Sequence, residues 1–369
     1  MSEARAGLPE GSAPTVTLVI PGYNAEATLR PCLEAVLPLV EPGLLERILF
    51  VDDGSTDQTP EILAEYGFQE PDSVLPLVRL ATSGLGPGGA RNVGWRAATT
   101  EWVWFIDSDC VAEEGALERL LTEIEDGVVG VGGSYGNMLP ESLVASLIHE
   151  EIVARHRRMP REVDFLATFN VLYRREALAQ IEGFDERLQR AQDAELAYRL
   201  RSAGGRLRFV TDSRVGHFHA RHLRRYLRAQ RWQGYWRMAL YAAHPQKLGG
   251  DHYSGFVDHV QPPLAAAAVG SGVGAGLLSL LRHFVLGEET PSWLFQLETL
   301  GALATAAALL LLALAQIPMT WNLLRHTGET RMLAFAPMSF LRAFARARGL
   351  VEGVLAAATG RFAGRGRSG

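Results

Sequence analysis

The sequence predicts an α/β domain, built on a mostly parallel sheet with flanking helices, followed by a C-terminal transmembrane helical hairpin. Short apolar runs bounded by turn residues alternate with helical stretches from Thr15 to about Thr211. Strands that alternate with helices are typical of βαβ units, whose strands pair in parallel. Beyond Pro262 and Pro263 the composition changes to long stretches without a charged residue. These two patterns predict the α/β domain and the hairpin.

Each element of the predicted sheet rests on its own pattern. Short, apolar, turn-bounded runs predict buried strands at Val16–Ile20, Arg47–Val51, Leu77–Ala81, Trp102–Ile106 and Leu207–Thr211. Helical periodicity predicts helices at Ala27–Val40 and Thr59–Tyr66, with another opening at Ala90–Ala98. Residues 1–14 are small and polar and lack the apolar region of a secretory signal. We therefore expect a disordered N-terminus and a cytoplasmic N-terminal domain.

Length and composition exclude several classes of protein. The chain has 369 residues, 47% of them hydrophobic and 21% charged, which excludes a wholly disordered protein and leaves room for two domains. A net charge of -5 argues against a nucleic-acid partner. The two cysteines, Cys32 and Cys110, cannot form a multi-bridge disulfide framework and have no zinc-site spacing. They indicate a reducing compartment.

Two uncharged stretches, Leu264–Leu281 and Thr299–Leu324, are long enough to cross the hydrocarbon core, which takes about 20 helical residues. A buried helical hairpin in a soluble domain is the alternative. After Thr320 the chain has eight arginines and two glutamates. The positive-inside rule then places the tail in the cytoplasm, on the same side as the N-terminal domain. The prediction is a multi-pass protein of the cytoplasmic (inner) membrane.

The predicted organisation follows from these shifts. The α/β domain occupies 15–237, a linker 238–263, two transmembrane helices 264–324 and a basic cytoplasmic tail 325–369. Between 332 and 357 the tail spaces apolar residues along one helical face, with arginines interspersed. Such a helix lies along the membrane surface or packs as an ordinary amphipathic helix.

Polar residues follow the predicted strands, where the carboxyl ends of a parallel sheet bind ligands. Asp52 and Asp53 precede a Gly-Ser turn, and their carboxylates could accept hydrogen bonds from a base or ribose or could belong to a solvated turn. Asp107 and Asp109 are separated by one residue and could bind one hard divalent ion. Either pair alone is weak evidence. Their position at equivalent strand ends predicts a common site.

The glycine-rich segment 84–94 enters a predicted helix and contains Arg91 and Asn92. Such a loop exposes backbone N–H groups to an anion, although a flexible connection would look the same. The segment lacks the Lys and Ser/Thr of a Walker loop, and no GxGxxG follows the first strand. A standard dinucleotide site is therefore not predicted.

The ordered set of these motifs resembles the family 2 glycosyltransferases with the GT-A fold, of the membrane-anchored bacterial type. The similarity covers roughly Thr15 to Trp236. The matching segments are VIPGYNAEATLRPCLEAVL at Val19–Leu37, FVDDGSTDQT at Phe50–Thr59, GPGGARNVGW at Gly86–Trp95, FIDSDC at Phe105–Cys110, FNVLYRREALAQIEGFDE at Phe169–Glu186 and AQDAELAYRLRSAGG at Ala191–Gly205.

The resemblance implies a GT-A fold and a role for each matching residue. Asp107 and Asp109 match the DxD motif that holds Mg²⁺ or Mn²⁺, with Asp109 the direct ligand and Asp107 nearer the ribose or sugar. Asp193 matches the general base of the ED motif, with Gln192 in place of Glu; otherwise it would be an ordinary acidic residue at a helix N-terminus. The residues implied to bind the nucleotide-sugar are Pro21, Tyr23, Asn24, Asp52, Asp53, Arg91, Asn92 and Asp107.

Two further features follow the predicted last strand. His217 and His219 are two residues apart, so on an extended segment one of them points inward; similar enzymes imply a histidine in the metal site, and His219 is preferred here. A histidine without a ligand role is the alternative. Arg231 and Trp232 belong to a basic, aromatic stretch without the QxxRW spacing of processive synthases. They are assigned to the acceptor or membrane side.

The predicted function is an inverting glycosyltransferase that moves one sugar from a nucleoside-diphosphate sugar to a hydroxyl. A lipid-linked or envelope glycan acceptor follows from the predicted location. Two alternatives remain open. A polyprenyl-phosphate glycosyltransferase would need no strong base, and a non-catalytic nucleotide-sugar-binding membrane protein would bind donor without transfer.

Overall fold

The computed structural model describes residues 14–40, 44–71, 76–245, 252–287 and 290–360. The predicted disordered N-terminus, apart from Pro14, and the last residues of the predicted tail lie outside these ranges. The chain divides into two compact units, Met1–Arg221 with Asp251–Tyr253, and His222–Gly250 with Ser254–Gly369. The first unit ends earlier than the predicted domain boundary at 237.

The first half of unit one confirms the predicted alternation of strands and helices. Three parallel pairings join neighbouring strands in the order β3-β2-β1-β4. Each predicted strand and helix here is found within a few residues of its expected bounds. The elements are β1 Val16–Gly22, α1 Glu26–Val36, β2 Arg47–Asp52, α2 Thr59–Glu65, β3 Leu77–Ala81, α3 Gly86–Ala97 and β4 Trp102–Ile106.

The second half of unit one completes a mixed sheet. β8 lies antiparallel between β4 and β6, β6 pairs in parallel with β9, and β5 and β7 both pair antiparallel with β9. The predicted last strand is much longer than expected. The elements are β5 Cys110–Ala112, α4 Ala116–Leu121, β6 Val128–Asn137, α5 Leu143–His156, β7 Glu162–Val163, β8 Asn170–Arg174, α6 Arg175–Gln180, α7 Gln192–Ser202 and β9 Arg206–His217.

The sheet has an apolar core on each face. Alternate residues of a strand point to opposite faces, and in β1 Leu18 and Ile20 belong to one buried cluster while Val19 belongs to the other. α3 approaches β1 at Gly94, where a Cβ atom would collide with the side chain of Val19. This close approach fixes the helix that carries Arg91 against the centre of the sheet.

Unit two is helical. The predicted linker is shorter than expected because α8 runs on to Ala243 and α9 begins at Phe256, with Pro262 inside it. The second predicted span is broken: α10 ends at Leu314 and α11 begins at Ile317. The helices are α8 Leu223–Ala243, α9 Phe256–Leu281, α10 Ser292–Leu314, α11 Ile317–Thr327 and α12 Phe335–Ala358.

By length and composition, two helical segments of unit two, Phe256–Leu286 and Ser292–Thr327, could cross a membrane. Only 11% and 17% of their most apolar windows are buried. The core hairpin of a soluble domain would have most of this surface covered, so the exposure disfavours that alternative. Between the two segments, the Ser271 and Thr305 hydroxyls lie 2.8 Å apart.

α12 packs along α8, which favours the ordinary amphipathic helix over one lying on the membrane surface. Small residues permit the contact: a Cβ atom on Gly349 or Gly353 would collide with backbone atoms of α8. The Arg231 guanidinium of α8 also donates two hydrogen bonds, of 2.7 and 2.8 Å, to the Glu352 carboxylate of α12.

Candidate active site

The carboxyl ends of β1, β2 and β4 meet at one edge of the sheet. The parallel register pairs Gly22 with Asp52, and β4 lies on the other side of β1. The segments that follow these strands carry most of the predicted site residues. The topology therefore brings them to a single edge, where open α/β sheets bind ligands.

The segment after β1 is held in place by the segment after β2. The Asn24 side-chain oxygen accepts a hydrogen bond of 2.8 Å from the Thr56 backbone N–H, and Asn24 itself adopts a positive φ of 52°. The Asn24 side chain thus helps to hold the segment after β1 against the segment after β2. Tyr23 is 61% exposed, so its ring is available to stack on a base, and Pro21 is half-buried in β1.

Asp52 and Asp53 are both engaged by the protein. Asp52, 1% exposed, accepts hydrogen bonds from the Arg79 side chain at 2.7 and 3.2 Å. The Asp53 carboxylate accepts from the Thr82 hydroxyl and from the backbone N–H groups of Leu85 and Gly86, at 2.6 to 2.8 Å. Asp53 thus fixes the glycine-rich loop, while Asp52 forms a buried ion pair. A nucleotide contact remains a prediction for each.

The helix after the glycine-rich loop begins at Gly86, not at Ala90 as predicted. It carries Arg91, which is buried and forms an ion pair with Asp107. The same guanidinium donates a hydrogen bond of 3.2 Å to the Pro87 carbonyl, while its Nε atom has no partner within the described residues. Arg91 therefore holds the first carboxylate of the DxD motif in a fixed orientation.

Asn92 is buried behind Arg91. Its amide nitrogen donates to the Phe184 carbonyl at 2.9 Å and to the Glu186 carboxylate at 2.8 Å, and its oxygen accepts from the Phe184 and Trp95 N–H groups. Each polar atom of the side chain is engaged by protein. The structure thus shows Asn92 tying α3 to the loop after α6, and its predicted contact with the nucleotide-sugar remains a prediction.

Asp109, Cys110 and His217 form the cluster that could hold a metal ion. Their potential ligand atoms lie within 4.8 Å of one another. The antiparallel register of β5 with β9 sets Cys110 opposite His217, and this brings the His217 Nε2 atom to 3.3 Å from Asp109 Oδ2. Burial, the largest single effect, favours the neutral acid, but the His217 charge and the hydrogen bonds to the carboxylate together outweigh it, and the pKa of Asp109 is lowered. Asp109 is ready to act as an anionic ligand.

Sequence analysis preferred His219 for this site, and the structure places His217 there instead. His219 is 5% exposed, and its Nδ1 atom lies 2.9 Å from His217 Nδ1. Burial lowers the pKa of His219 to about 2, so the ring is neutral. The expectation that alternation along an extended segment would turn only one ring inward is wrong. β9 ends at His217, the His219 N–H donates to the His217 carbonyl in a tight turn, and the two rings lie side by side with centroids 4.5 Å apart. The choice between them depended on the β5–β9 register, which the sequence pattern does not determine.

Asp193, the predicted general base, lies at the N-terminus of α7. Ala191, the residue before the helix, has a φ of 63°, a conformation that is uncommon for a side-chain-bearing residue and concentrates at functional sites. Burial raises the pKa of Asp193, and the charges of Arg91 and Asp107 also act on it. Asp193 therefore belongs to the same electrostatic cluster as the DxD motif.

The acceptor-side residues lie in unit two. Arg231 forms an ion pair with Glu352, and this pair joins α8 to α12. Its guanidinium also lies over the Trp232 ring at 5.5 Å. Trp232 is 40% exposed and packs edge-on against Tyr235, with ring centroids 5.5 Å apart; an acceptor role remains a prediction for both residues.

Sequence reasoning missed two arginines of this region. Arg79 neutralises Asp52 from the neighbouring strand, and no local motif marks it. Arg190 precedes Asp193 by three residues and is close enough for the charge of Asp193 to affect its pKa. A cation this close to a candidate base was a signal available in the sequence.

A GT-A sheet with a DxD pair, a facing histidine and a buried helix-terminal aspartate defines a glycosyltransferase. The family model described as Glycosyl transferase family 2 matches residues 17–182, and that described as Glycosyl transferase family group 2 matches residues 102–344. The chain belongs to glycosyltransferase family 2.

Relatives and a solved structure agree with this assignment. The chain is 28% identical over 249 residues to a pre-mycofactocin glycosyltransferase of Mycobacterium tuberculosis, covering 63% of this chain and 48% of the relative. It is 30% identical over 164 residues to the succinoglycan biosynthesis protein ExoO of Rhizobium meliloti, covering 44% of each. The chain spans about half the length of these curated relatives.

Among solved structures, the mannosyltransferase PcManGT from Pyrobaculum calidifontis, in complex with GDP-Man and Mn²⁺, has a TM-score of 0.55 and 18% identity. The alignment covers 92% of this chain and 87% of that chain. At this identity the likeness shows the fold.

Proposed function

We propose that this glycosyltransferase moves a single sugar from a nucleoside-diphosphate sugar to a hydroxyl acceptor, with inversion, at the cytoplasmic face of a membrane. One observation carries the proposal, the grouping of an arginine, a histidine and three carboxylates. Arg91 is paired with Asp107 and His217 Nε2 lies 3.3 Å from Asp109 Oδ2, while the charges of Arg91 and Asp107 act on Asp193. The cluster combines groups for binding a diphosphate with a buried carboxylate for accepting a proton.

The donor would lie along the ends of β1, β2 and β4. The exposed Tyr23 ring offers a stacking surface for the base. The Leu85 and Gly86 N–H groups at the start of α3 already bind the Asp53 carboxylate, so the phosphates would lie beside the cation site at Asp109 instead. That PcManGT was solved with GDP-Man supports a nucleotide-sugar donor.

The donor set fits Mg²⁺ or Mn²⁺. Asp109 offers a carboxylate oxygen and His217 an imidazole nitrogen, both suited to such an ion, which keeps further positions for phosphate oxygens. Mg²⁺ and Mn²⁺ prefer oxygen and imidazole ligands to a thiol, and burial raises the pKa of the Cys110 thiol well above its ordinary value, so Cys110 is not a proposed ligand. When bound, the cation would neutralise charge that gathers on the diphosphate leaving group. The Mn²⁺ of PcManGT supports this assignment.

Asp193 is the proposed base. Its raised pKa makes it a better proton acceptor than an ordinary aspartate. The acceptor oxygen would form a bond to the anomeric carbon while its proton passes to Asp193. The bond from that carbon to the diphosphate oxygen breaks, and the electron pair leaves with the nucleoside diphosphate. Attack opposite the leaving group inverts the anomeric centre.

The proposed membrane location of the enzyme rests on the helices of unit two. Two largely exposed apolar segments support a multi-pass anchor, and the arginine excess after them supports a cytoplasmic catalytic domain. An anchored enzyme of this kind would act on a lipid-linked or envelope glycan acceptor. The relative named as a succinoglycan biosynthesis protein supports an envelope glycan.

The testing experiment is a donor screen on detergent-solubilised full-length protein. UDP-, GDP- and dTDP-sugars are assayed for nucleoside-diphosphate release, with and without Mn²⁺ and with a membrane extract that supplies acceptors. We expect metal-dependent release from one donor, lost in Asp109→Ala and kept in Asp212→Asn, a matched change at an exposed carboxylate of β9. Donor binding without release or transfer would instead indicate a binding protein.

A further inference from the structure

We propose that His219 is a positioning residue, which holds the His217 ring with its Nε2 atom directed at the cation site beside Asp109. The inference rests on the proposed metal-dependent function and extends it to a residue that touches neither Asp109 nor the proposed donor.

The geometry starts from the end of β9. His217 is the last residue of this strand, and its Nε2 atom lies 3.3 Å from Asp109 Oδ2. On the other side of the same ring, Nδ1 lies 2.9 Å from His219 Nδ1. The His217 ring is therefore held at both nitrogen atoms, by a carboxylate on one side and an imidazole on the other.

A hydrogen bond between two imidazole nitrogens contains one proton, so the tautomers of the two rings are coupled. To bind a cation, His217 Nε2 must present its lone pair, and the ring proton must then be on Nδ1. His219 Nδ1 can accept that proton's hydrogen bond when its own proton is on Nε2. Partners of this kind fix the tautomer and orientation of ligating histidines.

The His219 ring is itself fixed by its surroundings. It is 5% exposed and packs edge-on against Tyr135, with ring centroids 5.6 Å apart, and its plane is tilted against the His149 ring, with centroids 5.7 Å apart. The backbone is held as well, because the Phe218 N–H donates to the Asp109 carbonyl at 3.1 Å. A ring held in this way can hold its neighbour.

The burial of His219 has a cost. Its Nε2 atom is buried and has no hydrogen-bond partner among the residues that the structure describes. Unpartnered buried polar atoms destabilise a fold, and an apolar ring would avoid the penalty. The imidazole at this position is therefore better explained by what its Nδ1 atom does for His217 than by stability.

The test measures the affinity of full-length, detergent-solubilised protein for Mn²⁺ alone, from the free-ion signal in electron paramagnetic resonance. His219→Phe keeps the ring and removes Nδ1, whereas His219→Asn keeps an acceptor near the Nδ1 position. His149→Phe is the matched control, because it changes a ring of the same cluster that packs on His219. Thermal melting without metal reports whether each variant is folded.

We expect His219→Phe to weaken Mn²⁺ binding by about 10-fold or more, as outer-sphere partners of ligating histidines do. His219→Asn should recover most of that loss, and His149→Phe should bind like the unmodified protein. In a His217→Ala background, His219→Phe should have no further effect, because its role passes through His217.

The proposal would be overturned if His219→Phe bound Mn²⁺ as tightly as the unmodified protein. It would also be overturned if His219→Phe weakened Mn²⁺ binding by the same factor in the His217→Ala background. If His219→Phe does not fold, His219→Leu, which also removes Nδ1, is compared with and without His217→Ala: an equal loss in both backgrounds refutes the role. Absence of Mn²⁺ binding in the unmodified protein would refute the proposed metal site itself, which is a different result.

Discussion

Asp193→Asn separates catalysis from stability more sharply than any other single change. The substitution keeps the shape of the side chain and the oxygen that accepts a hydrogen bond of 2.8 Å from the Ala194 N–H. It removes the ability to accept a proton. General base catalysis contributes about 10²- to 10⁴-fold, which corresponds to about 2.7 to 5.4 kcal/mol of activation free energy. We expect kcat for transfer to a hydroxyl to fall within that range.

The same substitution should leave stability unchanged or raise it. Because burial raises the pKa of Asp193, the folded state binds its proton more tightly than the unfolded chain. The stability that this group contributes is complete below the ordinary pKa of 3.8 and is lost as pH rises through the folded value. At pH 7 the ionised carboxylate is a penalty that asparagine lacks. The Tm of Asp193→Asn should therefore equal or exceed that of the unmodified protein.

The assay is single-turnover nucleoside-diphosphate release with the donor found in the screen, measured across pH. The unmodified enzyme should lose activity on the acid side with an apparent pKa above 3.8. Asp193→Asn should not show this loss of activity on the acid side of the pH profile, and Asp212→Asn should show it. Activity of Asp193→Asn within about threefold of the unmodified enzyme would refute the general base, since even the lower end of the expected loss is about 100-fold. That result would favour a phosphate acceptor.

Three further predictions concern the ion pair between Arg79 and Asp52, the contact between α8 and α12, and the proposed metal site. Arg79→Ala leaves the buried Asp52 carboxylate unpaired and should lower the free energy of unfolding by about 3 kcal/mol in a denaturant titration. Gly349→Ala places a methyl group against a backbone carbonyl of α8 and should cost about 1 to 3 kcal/mol, seen as a lower Tm. Cys110→Ser should stay active with Mn²⁺ and become inactive with EDTA, because the protonated thiol is not a proposed ligand. Asp109→Ala should be inactive with or without Mn²⁺.

Each stability prediction has a matched control in the same chain. Arg30→Ala breaks an exposed ion pair with Glu65 and should cost far less stability than Arg79→Ala. Gly270→Ala adds a methyl group where no atom lies within 4 Å, so it should be neutral or stabilising. Costs for Arg79→Ala and Gly349→Ala no larger than those of their controls would contradict the packing described above. If Cys110→Ser loses the Mn²⁺-dependent activity, the thiol is a metal ligand.

The parallel half of the sheet could be predicted because each of its strands is a local pattern. A short apolar run ending in a polar turn identifies β2 and β4 without knowledge of any other segment. The antiparallel half could not be predicted in this way. β9 pairs with three other strands, and its register, which selects His217 over His219, depends on contacts distant in sequence.

Residue types were easier to predict than the partners of those residues. The acidic pairs were found from their positions after strands, and Asp193 was found from the resemblance to the ED motif of the family. That Arg79 pairs with Asp52, and that Arg231 pairs with Glu352, depends on side-chain geometry across neighbouring elements. The helix break between Leu314 and Ile317 was missed although Gln316 and Pro318 mark it, because proline fits the first turn of a helix and not its interior.

The pairing of β5 with β9 has a consequence for how the enzyme is made. The proposed donor half of the site lies in β1 to β4, which are all synthesised once Ile106 has been added, so it can form early during synthesis. His217 reaches Asp109 only after about 100 further residues have been added, and such distant contacts form late in folding. A divalent cation that needs both residues stabilises only the completed sheet. Metal binding would therefore act as a marker of maturation, separating finished enzyme from partly folded chains that already have a nucleotide pocket.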